Sequence, residues 1–70
     1  MHKSILDAFG AKIREERVER GLSQEKLAEL AHLHRTYVGM IERGEKNITL
    51  RNIEKLAKAL NISIEQLMKL

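Results

Sequence analysis

Seventy residues make one domain, near the lower limit at which a hydrophobic core holds a fold unaided. There is no cysteine and no spacing of metal ligands, so neither a disulfide framework nor a zinc site is expected to supplement that core. Thirteen Lys and Arg oppose ten Asp and Glu for a net charge of +3, and charges interrupt every apolar run, so neither a membrane span nor a secretory leader is expected.

Proline is absent, Phe9 and Tyr37 are the only aromatic residues, and Ala, Leu, Glu and Lys are plentiful, a composition that predicts an all-α fold. Glycines and polar clusters divide the chain into a compact bundle of about five helices within a single domain, residues 1–70. The first is expected from Ser4 to Arg20, with Leu6, Phe9 and Ile13 at helical spacing and Gly21 behind it. Ser23 suits the N-cap of a second helix, Gln24 to Ala31, with Glu25 favourably placed in its first turn. A third spans Arg35 to Arg43 and stops at Gly44; a polar loop, Glu45 to Thr49, follows. Thr49 can cap a fourth helix, Leu50 to Leu60, which turns Ile53, Leu56, Ala57 and Leu60 to one face. Asn61 breaks it, and Ser63 caps a short last helix, Ile64 to Lys69.

The informative stretch is QEKLAELAHLHRTYVGMIER, residues 24–43. Two short helices joined by a tight turn must bury a shared face, and Leu27, Ala28, Ala31, Leu33, Val38 and Ile41 stand where that face requires apolar or small residues. Val38 and Ile41 then pack inward, leaving Arg35, Thr36, Gly39, Met40 and Arg43 facing away. Periodicity alone fits a helical hairpin in any bundle equally well. Charge does not decide, because residues 22–47 carry four Lys and Arg against four Glu.

The wider string FG-xx-IR-xx-R-xxx-GLSQ-xx-LA-…-V-xx-IERG, from Phe9 to Gly44, resembles the phage repressor/Cro-like (XRE) helix-turn-helix family, and the closing LAKALNISIEQL extends the likeness over nearly the whole chain. Within the family, HRTYVGMIERGEKNITL looks most like the controller proteins of restriction–modification systems. The resemblance implies a lambda-repressor-like bundle whose second and third helices form the helix-turn-helix, with the third in the major groove of double-stranded DNA. Base edges would then meet Arg35, Thr36 and Tyr37, with Gly39 and Met40 one turn on. Arg35 suits the O6 and N7 of guanine, and Tyr37 suits sugar or phosphate. A solvated charge is the plainer account of Arg35, but arginine is disfavoured at a positive helix start. Gln24 would bind backbone phosphate, joined by Arg43, Lys46 and Asn47, for which a solvated loop is the plainer account. Arg17 and Glu42 would form a buried ion pair bracing the first helix to the third.

Two positions depart from the family pattern. His32 stands where glycine is common because the backbone turns left-handed, and His34 takes the N-cap place, where Asp or Ser is stronger. With only His2 to join them, no metal site is expected; nor is a cofactor or a small-molecule ligand. One recognition helix reads too few base pairs to find a site among genomic competitors, so a homodimer on a palindromic operator is expected, paired through Ile62, Ile64, Leu67 and Met68, with Leu67 the one most needed by the monomer's own core.

The leading function is thus a cytoplasmic, sequence-specific transcriptional regulator; with no sensor domain expected after Leu70, control through its own concentration is expected. A phage, plasmid or antitoxin-type repressor and a protein-interaction or coactivator module are the alternatives. Contact with RNA polymerase through Glu25, Glu29 or the Glu42–Glu45 stretch stays open. No nucleophile–base set or phosphate loop suggests an enzyme.

Overall fold

A hydroxyl side chain opens four of the five helices found among the described residues, Ser4–Leu70 of a computed structural model. Ser4 precedes α1 (Ile5–Glu19), Ser23 precedes α2 (Gln24–Ala31), Thr49 precedes α4 (Leu50–Leu60) and Ser63 precedes α5 (Ile64–Leu67). Each accepts from a backbone N–H three residues on, at 2.9–3.2 Å, which satisfies a donor that the helix itself leaves free. Asp7 returns the favour to Ser4 in a reciprocal capping box. The exception is α3 (Arg35–Glu42), where His34 occupies the N-cap position and makes no side-chain capping bond.

α2 and α4 have the expected bounds, whereas α1, α3 and α5 end slightly short of theirs. Arg20 and Arg43 are C-caps rather than helical residues, with Gly21 and Gly44 next at positive φ, 69° and 74°. The last helix is shorter than expected: α5 stops at Leu67, with Met68 as its C-cap. His32 takes the left-handed conformation its position suggested, φ 57° and ψ 42°, and Asn61 ends α4 the same way.

The core is continuous through all five helices. Phe9 and Ile13 of α1, Leu27, Ala28 and Ala31 of α2, Val38 and Ile41 of α3, and Leu56, Ala57 and Leu60 of α4 are buried together. Leu67 joins them with no exposed surface, which corrects its placement at a dimer interface. Packed against α4, the one-turn α5 supplies Leu67 as its single buried side chain, and that residue closes the floor of the core. Ile62 packs half-buried against the same cluster, while Ile64 and Met68 stay exposed.

The crossing of α1 and α3 depends on Gly10. A Cβ at Gly10 would run into the carbonyl oxygens of Ile41 and Glu42, so only glycine lets the first helix lie against the end of the third. Polar contacts tie α1 to the other end of the bundle as well. Glu16 accepts from Lys12 and Arg20, and Arg20 Nε donates to the Leu60 carbonyl at 2.9 Å, reaching the C-terminus of α4. His2, weighed above as a third metal ligand, lies outside the described residues. Among the described residues no helix is long and apolar enough to cross a membrane.

Candidate nucleic-acid interface

Two helices of eight residues each, α2 and α3, meet across the turn His32–Leu33–His34. Ala28 is buried in the core, and its carbonyl accepts from the Leu33 N–H at 2.9 Å to fix the turn. With Val38 and Ile41 packed inward, α3 shows its opposite side to solvent. Arg35 and Thr36 stand exposed at its first turn, Met40 is half-exposed one turn later, and Lys46 and Asn47 stand exposed in the loop beyond. Without a side-chain cap, the first N–H groups of α3 remain available, and their partial positive charge favours an anion.

The ion pair expected between Arg17 and Glu42 is present, and it holds more than two helices. Arg17 Nε donates to Glu42 Oε2 at 2.6 Å and Nη2 donates to Oε1 at 3.0 Å, while Nη1 donates to the Leu22 carbonyl at 2.9 Å. The side chains are 12% and 3% exposed, which places the pair out of bulk water. Its hydrogen bonds to Glu42 hold the Arg17 guanidinium above its ordinary pKa. Glu42 Oε1 also accepts from Gln24 Nε2 at 3.0 Å. Gln24, expected on a phosphate, is therefore fixed in orientation by the brace, and one of its two amide hydrogens remains free to donate.

Three sites differ from the sequence reading. Gly39, expected on the outward face, is buried beneath the side chains of Gln24 and Arg43, where a Cβ would press only on the tip of Arg43. Tyr37 is half-buried, and its hydroxyl accepts from Asn52 Nδ2 at 3.1 Å, which ties the front of α3 to α4. Arg35 and Arg43 both meet carboxylates of the same face: Arg35 Nη1 lies 3.3 Å from Glu25 Oε2, and Arg43 Nε lies 2.9 Å from Glu45 Oε2. That contact raises the pKa of Arg43 and lowers that of Glu45. Sequence reasoning missed Asn52, Glu45 as a partner, and Glu25 as more than a first-turn charge. The spacings of Asn52 from Tyr37 and of Glu25 from Arg35 follow no helical period, so only the fold brings those pairs together, whereas Glu45 lies two residues from Arg43 in the loop beyond α3.

A helical pair with a buried inner face, a braced outer helix and polar side chains at its exposed start defines a helix-turn-helix protein, able to enter the major groove of a duplex. The Helix-turn-helix family matches residues 13–67. The chain is 46% identical over 69 residues to control protein C.BamHI of Bacillus amyloliquefaciens, covering 97% of this chain and 85% of that protein. It superimposes with a TM-score of 0.87 on the restriction–modification controller protein C.AhdI from Aeromonas hydrophila, at 53% identity, over 89% of this chain and 94% of the other. The structure of C.Esp1396I bound to a 25 base pair operator site gives 0.84 at 35% identity, over 97% and 95%. The chain belongs to the phage repressor/Cro-like helix-turn-helix family, and it is similar within that family to restriction–modification controller proteins.

Proposed function

We propose that this protein is a sequence-specific, DNA-binding transcriptional regulator of the restriction–modification controller type, acting in the cytoplasm as a homodimer on a palindromic operator. The single observation that carries the reading is the uncapped start of α3, where Arg35 and Thr36 are exposed on a helix braced from behind by Arg17 and Glu42. The operator complex of C.Esp1396I supports it, since that protein presents a bundle of the same fold. Arg35 reads guanine, Thr36 a base edge or thymine methyl, and Met40 the next step of the groove. Gln24, Arg43, Lys46 and Asn47 take the flanking phosphates and fix the register. Tyr37, held by Asn52, presents its ring edge to the sugar–phosphate chain.

The surface assigned to the second copy is a groove whose lining includes no residue of α3. Leu30, Leu50 and Ile64 line one shallow groove between α2, α4 and α5. Met68 and Leu70 are also exposed, on and beyond the end of α5. Leu50 and Leu30 thus replace Leu67 in the expected interface. Catalysis, cofactors and small-molecule ligands have no part in this reading, and any contact with RNA polymerase would use exposed carboxylates such as Glu29.

Selection of bound duplexes from a random DNA pool tests the reading. A palindrome with half-sites about 34 Å apart is expected. Arg35→Ala should relax one base position by about 1–3 kcal/mol of discrimination, while Gln24→Ala should weaken all sequences alike. A pool that yields no enriched sequence would overturn the proposal.

A further inference from the structure

The face formed by α2, α3 and the loop after it carries no net charge, with four Lys and Arg against four Glu over residues 22–47. Both of its arginines, and Gln24, are moreover held by carboxylates of the same face. Arg35 lies 3.3 Å from Glu25, Arg43 lies 2.9 Å from Glu45, and Gln24 donates to Glu42 at 3.0 Å. A face built to grip any duplex needs free cations, because neutralised phosphates supply nearly all of non-specific affinity. This one has its arginines already engaged. The three carboxylates are not equivalent. Glu42 is buried and braces the fold with Arg17, whereas Glu25 and Glu45 are exposed and bury nothing. Among the described residues, their only side-chain partners are the two arginines.

We propose that Glu25 is a specificity-determining residue, an internal stand-in for phosphate that holds Arg35 away from non-specific DNA, and that Glu45 holds Arg43 likewise and lowers affinity for every duplex alike. The proposal rests on the DNA-binding reading given above. Moving an arginine from an exposed carboxylate to a phosphate oxygen exchanges one like contact for another, so a random duplex gains little from it. A guanine edge offers Arg35 two parallel hydrogen bonds in place of the single contact with Glu25, so the exchange becomes favourable only at the right base. Glu45 withholds Arg43 from the sequence-independent part of the affinity, since the phosphate that would take its place is present on every duplex. Both carboxylates also repel any backbone that approaches without satisfying the arginines.

The test compares Glu25→Gln, Glu45→Gln and the double variant with the unaltered protein on two duplexes of equal length. One is the best sequence from the random-pool selection, the other a scrambled sequence, and each is titrated across a salt series. On the scrambled duplex the double variant should bind tighter by on the order of ten-fold at physiological salt, with a salt slope steeper by about two per protomer. On the selected duplex it should gain clearly less, so that the ratio of the two affinities falls. Glu15→Gln, on the exposed side of α1, changes the charge as much as either single variant, Glu15→Gln with Glu19→Gln changes it as much as the double, and both should leave the ratio unaltered. Equal gains on both duplexes, or a ratio lowered as much by Glu15→Gln, would show a plain charge effect and overturn the proposal. An unaltered protein that prefers neither duplex would instead defeat the DNA-binding reading on which it rests.

Discussion

Glu42 performs two tasks with one carboxylate, bracing α1 to α3 through Arg17 and orienting Gln24 at the edge of the interface. Truncation to alanine leaves a guanidinium out of water with only the Leu22 carbonyl to accept from it. Glu42→Ala should therefore cost roughly 3–5 kcal/mol, read as a lower urea midpoint at unchanged slope. Replacing both partners by apolar residues of similar volume, Arg17→Met with Glu42→Leu, should restore most of that stability, since no buried charge is then stranded. It should not restore DNA affinity to the same extent, because Gln24 has lost the group that orients it. An unchanged urea midpoint in Glu42→Ala would refute the brace. The pair was legible in the sequence through family resemblance, but the Gln24 contact was not. Gly10 was equally silent: a lone glycine inside a helix costs about 1 kcal/mol against alanine, which signals a packing reason without naming the partner. The backbone it touches lies more than thirty positions along the chain, at Ile41 and Glu42.

At the scale of elements, the hydroxyl caps and the apolar spacing were enough to place all five helices, because those signals are local. Their failures share a cause. The last helix reads as longer than it is because Ile64, Leu67 and Met68 keep a helical period after the hydrogen-bonded turn has ended at Leu67. Likewise, the outward period of α3 cannot reveal that Gly39 is roofed by side chains from Gln24 and Arg43. The polar tie between α1 and α4 is also invisible to periodicity, and it yields a pH prediction. Hydrogen bonds from Arg20 first, then Lys12, lower the pKa of Glu16 from its ordinary 4.5 in the folded chain. A carboxylate with a lowered folded pKa contributes stability that is present above the unfolded value and is lost as pH falls through the folded value. Glu16→Gln should therefore be less stable than the unaltered chain at pH 7, and the gap should close as the medium is acidified below about 4.5. Thermal melts of both proteins across that range check the sign. A gap that persists in strong acid would mean that Glu16 acts through packing rather than charge.

For the whole molecule the deciding quantities are lengths. The bundle measures 32 × 24 × 23 Å, and the eight residues of α3 span only about 12 Å. Successive major grooves on one side of a duplex are about 34 Å apart, so one copy can seat a recognition helix in one groove but not in two. Two-fold pairing is the economical way to occupy both, and it requires a self-complementary patch away from α3. The groove lined by Leu30, Leu50 and Ile64 is the surface assigned to that contact, with Leu50 74% exposed in the single chain. Leu50 opens α4, where an acidic residue interacts favourably with the helix dipole, so Leu50→Glu should leave the monomer folded while placing two carboxylates in the paired interface. Sedimentation equilibrium should show the mass of two chains for the unaltered protein at tens of micromolar and a shift toward one chain for Leu50→Glu and Ile64→Glu. Affinity for a palindromic duplex should fall in both variants by more than affinity for a single half-site, because the shared readout is lost while each recognition helix stays intact. An unaltered chain that sediments as a monomer and binds one half-site as tightly as two would remove the dimer from the mechanism.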